Sequence, residues 1–207
     1  MNFYRHYLFP YVLDWAMQQA VLQAPRQRVL APAKGRVLEI GFGTGVNLAY
    51  YPDQVRELET LDPETMLEKR VSHRIASSGR KVHFHQLAGE RQPFPDNSFD
   101  TLVCTLTLCS VQDPGLVLNE VYRVLKPGGQ FLFLEHGASP ELKVRRWQQR
   151  LNGVQQVCGG GCQLIRPTKE LVASSGLVFE EVSQYYLAKV PRFLGFMTEG
   201  RACKPMG

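Results

Sequence analysis

Residues 37–45, with the letters VLEIGFGTG, constrain the fold more than any other part of the chain. The stretch 36–40 is typical of a buried strand that ends at a glycine. Gly41 permits a tight turn, Gly43 lets backbone N–H groups approach a ligand without an intervening Cβ, and Gly45 lets the next helix pack closely. Such a turn lies at the carboxyl edge of an open α/β sheet, where ligands bind.

An acidic residue follows the second predicted strand, where a carboxylate accepts hydrogen bonds from ribose hydroxyls. This residue is Asp62, 21 positions after Gly41. The three glycines are spaced GxGxG, whereas dinucleotide sites use GxGxxG and would need a glycine in place of Val46. Glu39 adds a second carboxylate, which suits a cationic ligand better than a diphosphate. The spacing therefore favours S-adenosylmethionine (SAM) over NAD.

Short apolar runs alternate with helical patterns from Gly35 onward. Strand patterns cover residues 36–40, 58–61, 82–87, 99–106, 130–134, 177–187 and 193–203. Helical patterns between them cover residues 46–51, 65–75, 114–125, 141–151 and 167–175. This alternation predicts parallel strands with helices on both faces. The last two strands leave no room for a helix between them, which predicts a hairpin. The expected fold class is α/β, a Rossmann-like, seven-stranded and mostly parallel sheet with a C-terminal antiparallel hairpin.

The first 34 residues are predicted to form a helical extension or lid, with a catalytic domain over residues 35–207. Pro10 suits the first turn of a helix, and residues 11–22 carry an apolar stripe. Residues 1–34 hold four basic and one acidic side chain, whereas residues 35–140 hold ten basic and thirteen acidic ones. This basic, aromatic N-terminus either packs on the domain as a solvated face or makes peripheral contact with a membrane.

The five cysteines predict neither disulfides nor a metal site. Their odd number, in a chain without an export signal, favours reduced thiols. Cys158 and Cys162 are separated by three glycines and lack a second ligand pair at zinc-finger spacing, so we expect a glycine-rich loop with two thiols. A run of about 18 apolar residues is also absent, and we expect a cytoplasmic location.

These motifs together resemble the class I SAM-dependent methyltransferases. The first glycine turn resembles the first motif of that superfamily, and Asp62, Pro63 and Met66 resemble the second. A resemblance to the ubiquinone/menaquinone C-methyltransferase-like group lies in Gly89 and Glu90, in PFPDNSFD at 93–100 and in EVYRVLKPGG at 120–129. Three further segments, at 108–110, 134–136 and 160–162, are similar to those of small bacterial members and of animal alkyl-thiol methyltransferases.

The resemblance implies SAM as the cofactor and a cofactor site of twelve residues. These residues are Glu39, Gly41, Phe42, Gly43, Gly45, Asn47, Asp62, Pro63, Met66, Gly89, Glu90 and Thr105. The chain departs from the pattern at Ala88, where many relatives carry an aspartate near the adenine amino group. Backbone groups around Gly89 are expected to replace that contact.

Methyl transfer from a sulfonium is an in-line displacement that mainly needs alignment and a dry pocket. His136, at the end of the fifth strand, is the candidate general base, with a purely structural histidine as the alternative. Cys109 is expected to border the acceptor pocket or to fill a small apolar space. Tyr4 and Tyr7 are expected to close over the methionine end of SAM or to pack with the first helix.

The expected function is methyl transfer to a small, hydrophobic acceptor, which is a thiol, a lipid amine or a quinone-like ring. The expected partner is this small molecule and no nucleic acid, and the oligomeric state stays open. An NAD-dependent oxidoreductase is opposed by the glycine spacing and the terminal hairpin. A nucleic-acid methyltransferase is opposed by residues 105–108, TLTL, which stand where an N/D-P-P-Y motif would be. A non-catalytic SAM-binding protein is opposed by the intact Glu39, glycine turn and Asp62.

Overall fold

The computed structural model describes residues 4–64 and 67–206. Within them, the strands are β1 (Val37–Ile40), β2 (Glu57–Leu61), β3 (Lys81–His85), β4 (Phe99–Thr105), β5 (Leu125–His136), β6 (Val178–Tyr186) and β7 (Phe196–Cys203). The α-helices are α1 (Phe9–Met17), α2 (Gln23–Leu30), α3 (Glu68–Ser78), α4 (Pro114–Val124), α5 (Leu142–Cys158), α6 (Thr168–Ala173) and α7 (Arg192–Gly195). None of these helices is both long and apolar enough to cross a bilayer.

The seven strands form one sheet in the order β3-β2-β1-β4-β5-β7-β6. Strands β1 to β5 are parallel, and β7 runs antiparallel to both β5 and β6. The predicted fold class is therefore confirmed, including the antiparallel pair at the C-terminus. The prediction that no helix separates the last two strands was wrong, because α7 lies between them. A hairpin connection accommodates α7 because it has only four residues.

Alternate side chains of β1 enter two different cores, which is why helices cover both faces of the sheet. Leu38 and Ile40 belong to a cluster that includes Val117 of α4. Val37 belongs to a second cluster that includes Leu30 of α2. Because residues two apart share a face, Glu39 lies on the same side as Val37.

Strand register brings three separate chain segments together at the carboxyl edge of the sheet. Ile40 pairs with Leu61 of β2 and with Cys104 of β4. The residues that follow these three positions therefore also lie beside one another; they are Gly41, Asp62 and Thr105. The strand order reverses between β1 and β4, and ligands bind at such a switch point in open α/β sheets.

Several predicted boundaries shift by a few residues. The helix predicted at 46–51 is a 3₁₀ helix, Val46–Ala49. The helix predicted at 65–75 is α3, which follows Leu67 in a left-handed conformation and ends at Gly79, also left-handed. Strand β5 begins five residues earlier than predicted, since Leu125 already pairs with Phe99 before a bulge. Helix α4 begins as predicted, with Asp113 capping the backbone N–H groups at its start.

Candidate functional site

A cavity of about 470 Å³ opens at the switch point of the sheet, and this volume is typical of small-molecule sites. The glycine turn and the ends of β2 and β4 form one wall. Helix α1 forms another through Phe9, Leu13 and Met17. The loop after β4 contributes Ser110 and Val111, and the loop after α5 contributes Gly159 and Gly160.

Two glycines of the turn have different structural roles. A Cβ on Gly41, whose φ is +78°, would lie 1.9 Å from Oγ1 of Thr107, so packing alone requires glycine there. A Cβ on Gly43, whose φ is +55°, would have no neighbour within 4 Å. Gly43 lines the cavity, so its missing side chain leaves space that a ligand can occupy.

Asp62 fixes the turn as well as facing the cavity. Its Oδ2 accepts a 2.7 Å hydrogen bond from the backbone N–H of Gly43, and its Oδ1 accepts one of 3.0 Å from that of Glu64. Burial raises the pKa of the Asp62 carboxyl, although both hydrogen bonds oppose the shift. Pro63 also lines the cavity, whereas Met66 lies outside the described residues.

Glu39 is completely buried at the floor of the cavity. Its carboxylate accepts hydrogen bonds of 2.8 Å from Asn47 Nδ2 and 2.9 Å from the Tyr51 hydroxyl. Burial raises the pKa of Glu39 to about 7, against the opposing effect of these bonds and of Arg26. Asn47 Nδ2 also donates to Thr105 Oγ1, and Asn47 Oδ1 is buried without a hydrogen-bond partner among the described residues.

These buried acceptor groups fit SAM. Burial disfavours the ionised forms of Glu39 and Asp62, and a ligand with an amino group and a sulfonium would restore the ionised forms by compensating their charge. The unsatisfied Oδ1 of Asn47 offers an acceptor to an N–H or O–H group of the ligand. A dinucleotide would instead place its negative diphosphate near two carboxylates.

The remaining predicted cofactor residues, except Gly45, lie around the same cavity. Phe42 and Gly89 line it, as does Ala88, the position at which the chain departs from its relatives. Glu90 also lines it, and its carboxylate accepts a 3.1 Å hydrogen bond from the backbone N–H of Gln112. Gly45 adopts a left-handed conformation directly before the 3₁₀ helix.

Five predicted residues are absent from the described part of the cavity wall: Gly45, His136, Cys109, Tyr4 and Tyr7. Tyr4 donates a hydrogen bond to the carbonyl of Cys158, and Tyr7 is 55% exposed. His136 ends β5, which is two strands away from β1. The predicted roles of these residues in SAM and acceptor binding therefore stay predictions.

Cys109 and His136 instead contact a third residue, Cys162. Hydrogen bonds from the Cys109 thiol and from the His136 ring lower the pKa of Cys162, although burial opposes the shift. The hydrogen bond to Cys162 and burial both raise the pKa of Cys109. The three side chains therefore form one coupled cluster, which spacing along the chain did not reveal.

A buried aspartate in α1 was also missed by the sequence analysis. Asp14 accepts hydrogen bonds of 2.7 Å from Thr44 Oγ1, 2.6 Å from Arg74 and 2.6 Å from Arg70. Burial would raise the pKa of Asp14, but these three partners outweigh it and lower the pKa. The network ties α1 to the glycine turn and to α3. A lone acid in an otherwise apolar and basic segment was the available signal.

Another buried acid, Glu135, holds the loop after β4. Its carboxylate accepts hydrogen bonds from the backbone N–H groups of Thr107, Leu108 and Cys109, at 2.9, 3.0 and 3.3 Å. Burial raises the pKa of Glu135, and the three bonds oppose that shift. Glu135 thus holds in place the loop after β4, part of which lines the cavity.

Comparisons with known proteins agree with this geometry. Residues 38–133 match the methyltransferase domain family. The chain is 37% identical over 174 residues to human thiol S-methyltransferase TMT1A, covering 76% of this chain and 70% of that protein. It is 41% identical over 146 residues to human thiol S-methyltransferase TMT1B, covering 67% of this chain and 59% of that protein.

A solved structure shares the fold at low sequence identity. The YcgJ protein of Bacillus subtilis superposes with a TM-score of 0.71 at 20% identity, over 90% of this chain and 99% of that one. The chain spans a little over half the length of several curated relatives that it matches. With the matched domain, the extended similarity to TMT1A and the cavity at the switch point, the chain belongs to the SAM-dependent methyltransferases, in the family that includes human TMT1A.

Proposed function

We propose that this chain transfers the methyl group of SAM to the thiol of a small, hydrophobic molecule. The observation that carries the proposal is one cavity lined by two chemically different groups of residues. Buried carboxylates, those of Glu39 and Asp62, line it from β1 and from the end of β2. Apolar side chains also line it, with Phe9 and Leu13 from α1 and Val111 from the loop after β4. The similarity to proteins named thiol S-methyltransferases supports a thiol as the acceptor.

SAM, when bound, supplies a methyl group already activated on a sulfonium. Asp62 would accept hydrogen bonds from the ribose hydroxyls, since it lies at the end of the second strand. Glu39 and the unsatisfied Oδ1 of Asn47 would accept hydrogen bonds from the amino group. Arg26 lines the same cavity and has a buried Nε without a partner among the described residues, so it would pair with the methionine carboxylate.

The polar groups of the cavity suit an acceptor that ionises by itself. The described lining residues include no histidine, cysteine or lysine, and the carboxyls of Glu39, Asp62 and Glu90 already accept hydrogen bonds from the protein. A thiol needs less help than a hydroxyl, because it is the stronger acid; a cysteine thiol, with a pKa near 8.5, is already a few per cent thiolate at neutral pH. The chain's own residues would then mainly align the thiolate and exclude water.

An acceptor screen tests the proposed function. The full chain is incubated with SAM and, separately, with a small alkyl thiol, vesicles of an ethanolamine phospholipid, or a hydroquinone, and S-adenosylhomocysteine and methylated product are measured. Turnover of the thiol alone is expected. Turnover of the amine or the ring without the thiol would show that the proposed substrate class is wrong. Asp62→Asn should lose the activity, while the exposed Asp53→Asn serves as the matched control.

We also propose that residues 1–34 act as a lid over this cavity. Three side chains of α1 line the cavity, and Asp14 fixes α1 to the glycine turn. Opening would let SAM and the acceptor enter, and closure would exclude water.

The outer surface of this lid is our candidate for peripheral membrane contact. It carries Tyr7, Leu8, Tyr11, Val12 and Trp15, each at least 47% exposed. Aromatic and aliphatic side chains of this kind insert at the bilayer interface. Co-sedimentation with anionic vesicles that is lost in Trp15→Ser, but kept in the exposed Trp147→Ser, would support the contact. Equal binding by both variants would contradict it.

A further inference from the structure

Three side chains that can bind metals meet outside the SAM cavity. They are Cys109 from the loop after β4, His136 at the end of β5 and Cys162 from the loop after α5. One ligand atom from each lies within 4.8 Å of the other two. Cys162 Sγ and His136 Nδ1 are 3.5 Å apart. Both cysteines are buried, and His136 is half-buried.

The backbone holds the three segments in this arrangement. The N–H of Gln163, next to Cys162, donates a 2.9 Å hydrogen bond to the carbonyl of Cys109. Thr168 Oγ1 donates a 2.9 Å hydrogen bond to the carbonyl of His136. These hydrogen bonds to the backbone therefore help to fix the relative positions of the three residues.

Two glycines direct the loop after α5 towards the other ligands. Gly160 has a φ of +61° and Gly161 one of +99°, a region that L-residues with side chains rarely adopt. The chain reverses there, and Cys162 comes to face the ends of β4 and β5. The three glycines between Cys158 and Cys162 thus separate an exposed thiol from one that joins the cluster.

The distances are close to those of a tetrahedral zinc site. Zinc binds thiolate sulfur at about 2.3 Å and imidazole nitrogen at about 2.0–2.1 Å, so two ligand atoms on one tetrahedral ion lie about 3.5–3.8 Å apart. The sulfur–nitrogen separation of 3.5 Å already fits, and small side-chain rotations would bring the others within range. We propose that Cys109, His136 and Cys162 form a binding site for a soft metal ion, with Zn²⁺ as the occupant.

Ligand chemistry and charge favour this ion. Two thiolates and one imidazole suit zinc and exclude the hard ions magnesium and calcium, which need oxygen ligands. Two thiolates would also balance the charge of the ion in a buried place. Three protein ligands leave the fourth tetrahedral position to a non-protein ligand. Because Ser110 and Gly160 lie beside ligands and line the cavity, the ion would also fix that part of the cavity wall.

Cobalt binding tests the site without using methyl transfer. The full chain is stripped with a chelator in the presence of a reductant that does not bind metal, and Co²⁺ is then titrated while thiolate-to-cobalt charge-transfer absorption is recorded. One equivalent of Co²⁺ is expected to bind and to be displaced by Zn²⁺. Cys109→Ser, Cys162→Ser and His136→Ala should each weaken Co²⁺ binding by about 100-fold or more, since even residues that only support ligands give losses of 10–100-fold.

Cys158→Ser is the matched control, because this exposed cysteine lies four residues before Cys162 in the same loop. It should bind Co²⁺ as the unaltered chain does. Circular dichroism checks each variant, and Cys162→His, which keeps a ligand, replaces Cys162→Ser if the latter does not fold. This variant should bind Co²⁺ with an altered spectrum.

Three outcomes would overturn the proposal. The first is no charge-transfer absorption in the unaltered chain, and the second is an equal loss in Cys158→Ser and Cys162→Ser. The third is protection of Cys109 and Cys162 from alkylation that a reductant removes and a chelator does not, which would assign the pair to a disulfide. SAM binding to the same samples, measured by calorimetry, tests the proposed methyltransferase function separately. Failure of one proposal therefore does not contradict the other.

Discussion

The cavity at the glycine turn and the Cys109/His136/Cys162 cluster are built in opposite ways. In the cavity, Gly41 and Asp62 follow paired residues of adjacent parallel strands, so register alone brings them together. In the cluster, successive ligands lie 27 and 26 positions apart, and they reach each other through the ends of two strands and a loop after a helix. A sequence motif can therefore predict a site formed by one turn and the neighbouring strand. It does not predict a site whose residues come from distant segments of the chain.

The largest expected effect separates packing from ligand space within the glycine turn. Gly41→Ala should lower the free energy of unfolding by about 4 kcal/mol, because the new Cβ meets Thr107 and the φ is positive. Gly43→Ala should cost only about 1 kcal/mol, since its Cβ meets nothing, but should weaken SAM binding at least about ten-fold. Urea unfolding and calorimetry measure the two quantities. Equal destabilisation by both variants would contradict the distinction.

The pH dependence of stability tests the buried carboxyl of Glu39 in this cavity. In the native state Glu39 keeps its proton up to about pH 7, whereas in the unfolded chain it loses it near 4.5. Between these values the native state binds more protons, so this group's contribution to stability is lost as pH rises from about 4.5 to 7, by on the order of 3 kcal/mol. Without SAM, unfolding of the unaltered chain relative to Glu39→Gln should show this fall. Parallel curves would disprove the raised pKa.

Glu135 offers the corresponding test for the loop after β4, part of which lines the cavity. Glu135→Ala should lower the free energy of unfolding by about 2–3 kcal/mol, because three backbone N–H groups lose their acceptor. Glu181→Ala, on an exposed part of β6, should change it by about 0.5 kcal/mol or less. Chemical denaturation measures both. A small effect of Glu135→Ala would show that the loop after β4 is held by other contacts.

The smallest expected effect concerns the lid. Asp14→Asn should lower the free energy of unfolding by about 1–2 kcal/mol, since Arg70 and Arg74 are partly exposed and regain water. It should also weaken SAM binding and expose residues 1–34 to limited proteolysis. Asp53→Asn is the control. Unchanged proteolysis would argue that α1 packs on the domain without opening.

The sequence predicted the α/β class, the seven strands and the carboxyl-edge location of the site, because periodicity and turn chemistry are local properties. It predicted boundaries less well. Strand β5 starts at Leu125, before Pro127 and two glycines, because pairing with Phe99 outweighs their local preference for a turn. His136 was predicted near the ligand because strand ends face the site in this fold. The strand order, which puts β5 two positions from β1, could not be read from the sequence.

By itself, the sequence determined the glycine turn, the acid after the second strand and the family, since these depend on residues that share a turn or follow a strand. Only the tertiary structure decided how Asp14 joins α1 to Thr44, how Glu135 holds three N–H groups, and that Cys109, His136 and Cys162 meet. These contacts depend on strand order and on the return path of loops. Both arise from packing over the whole domain, so no short segment of the chain encodes them.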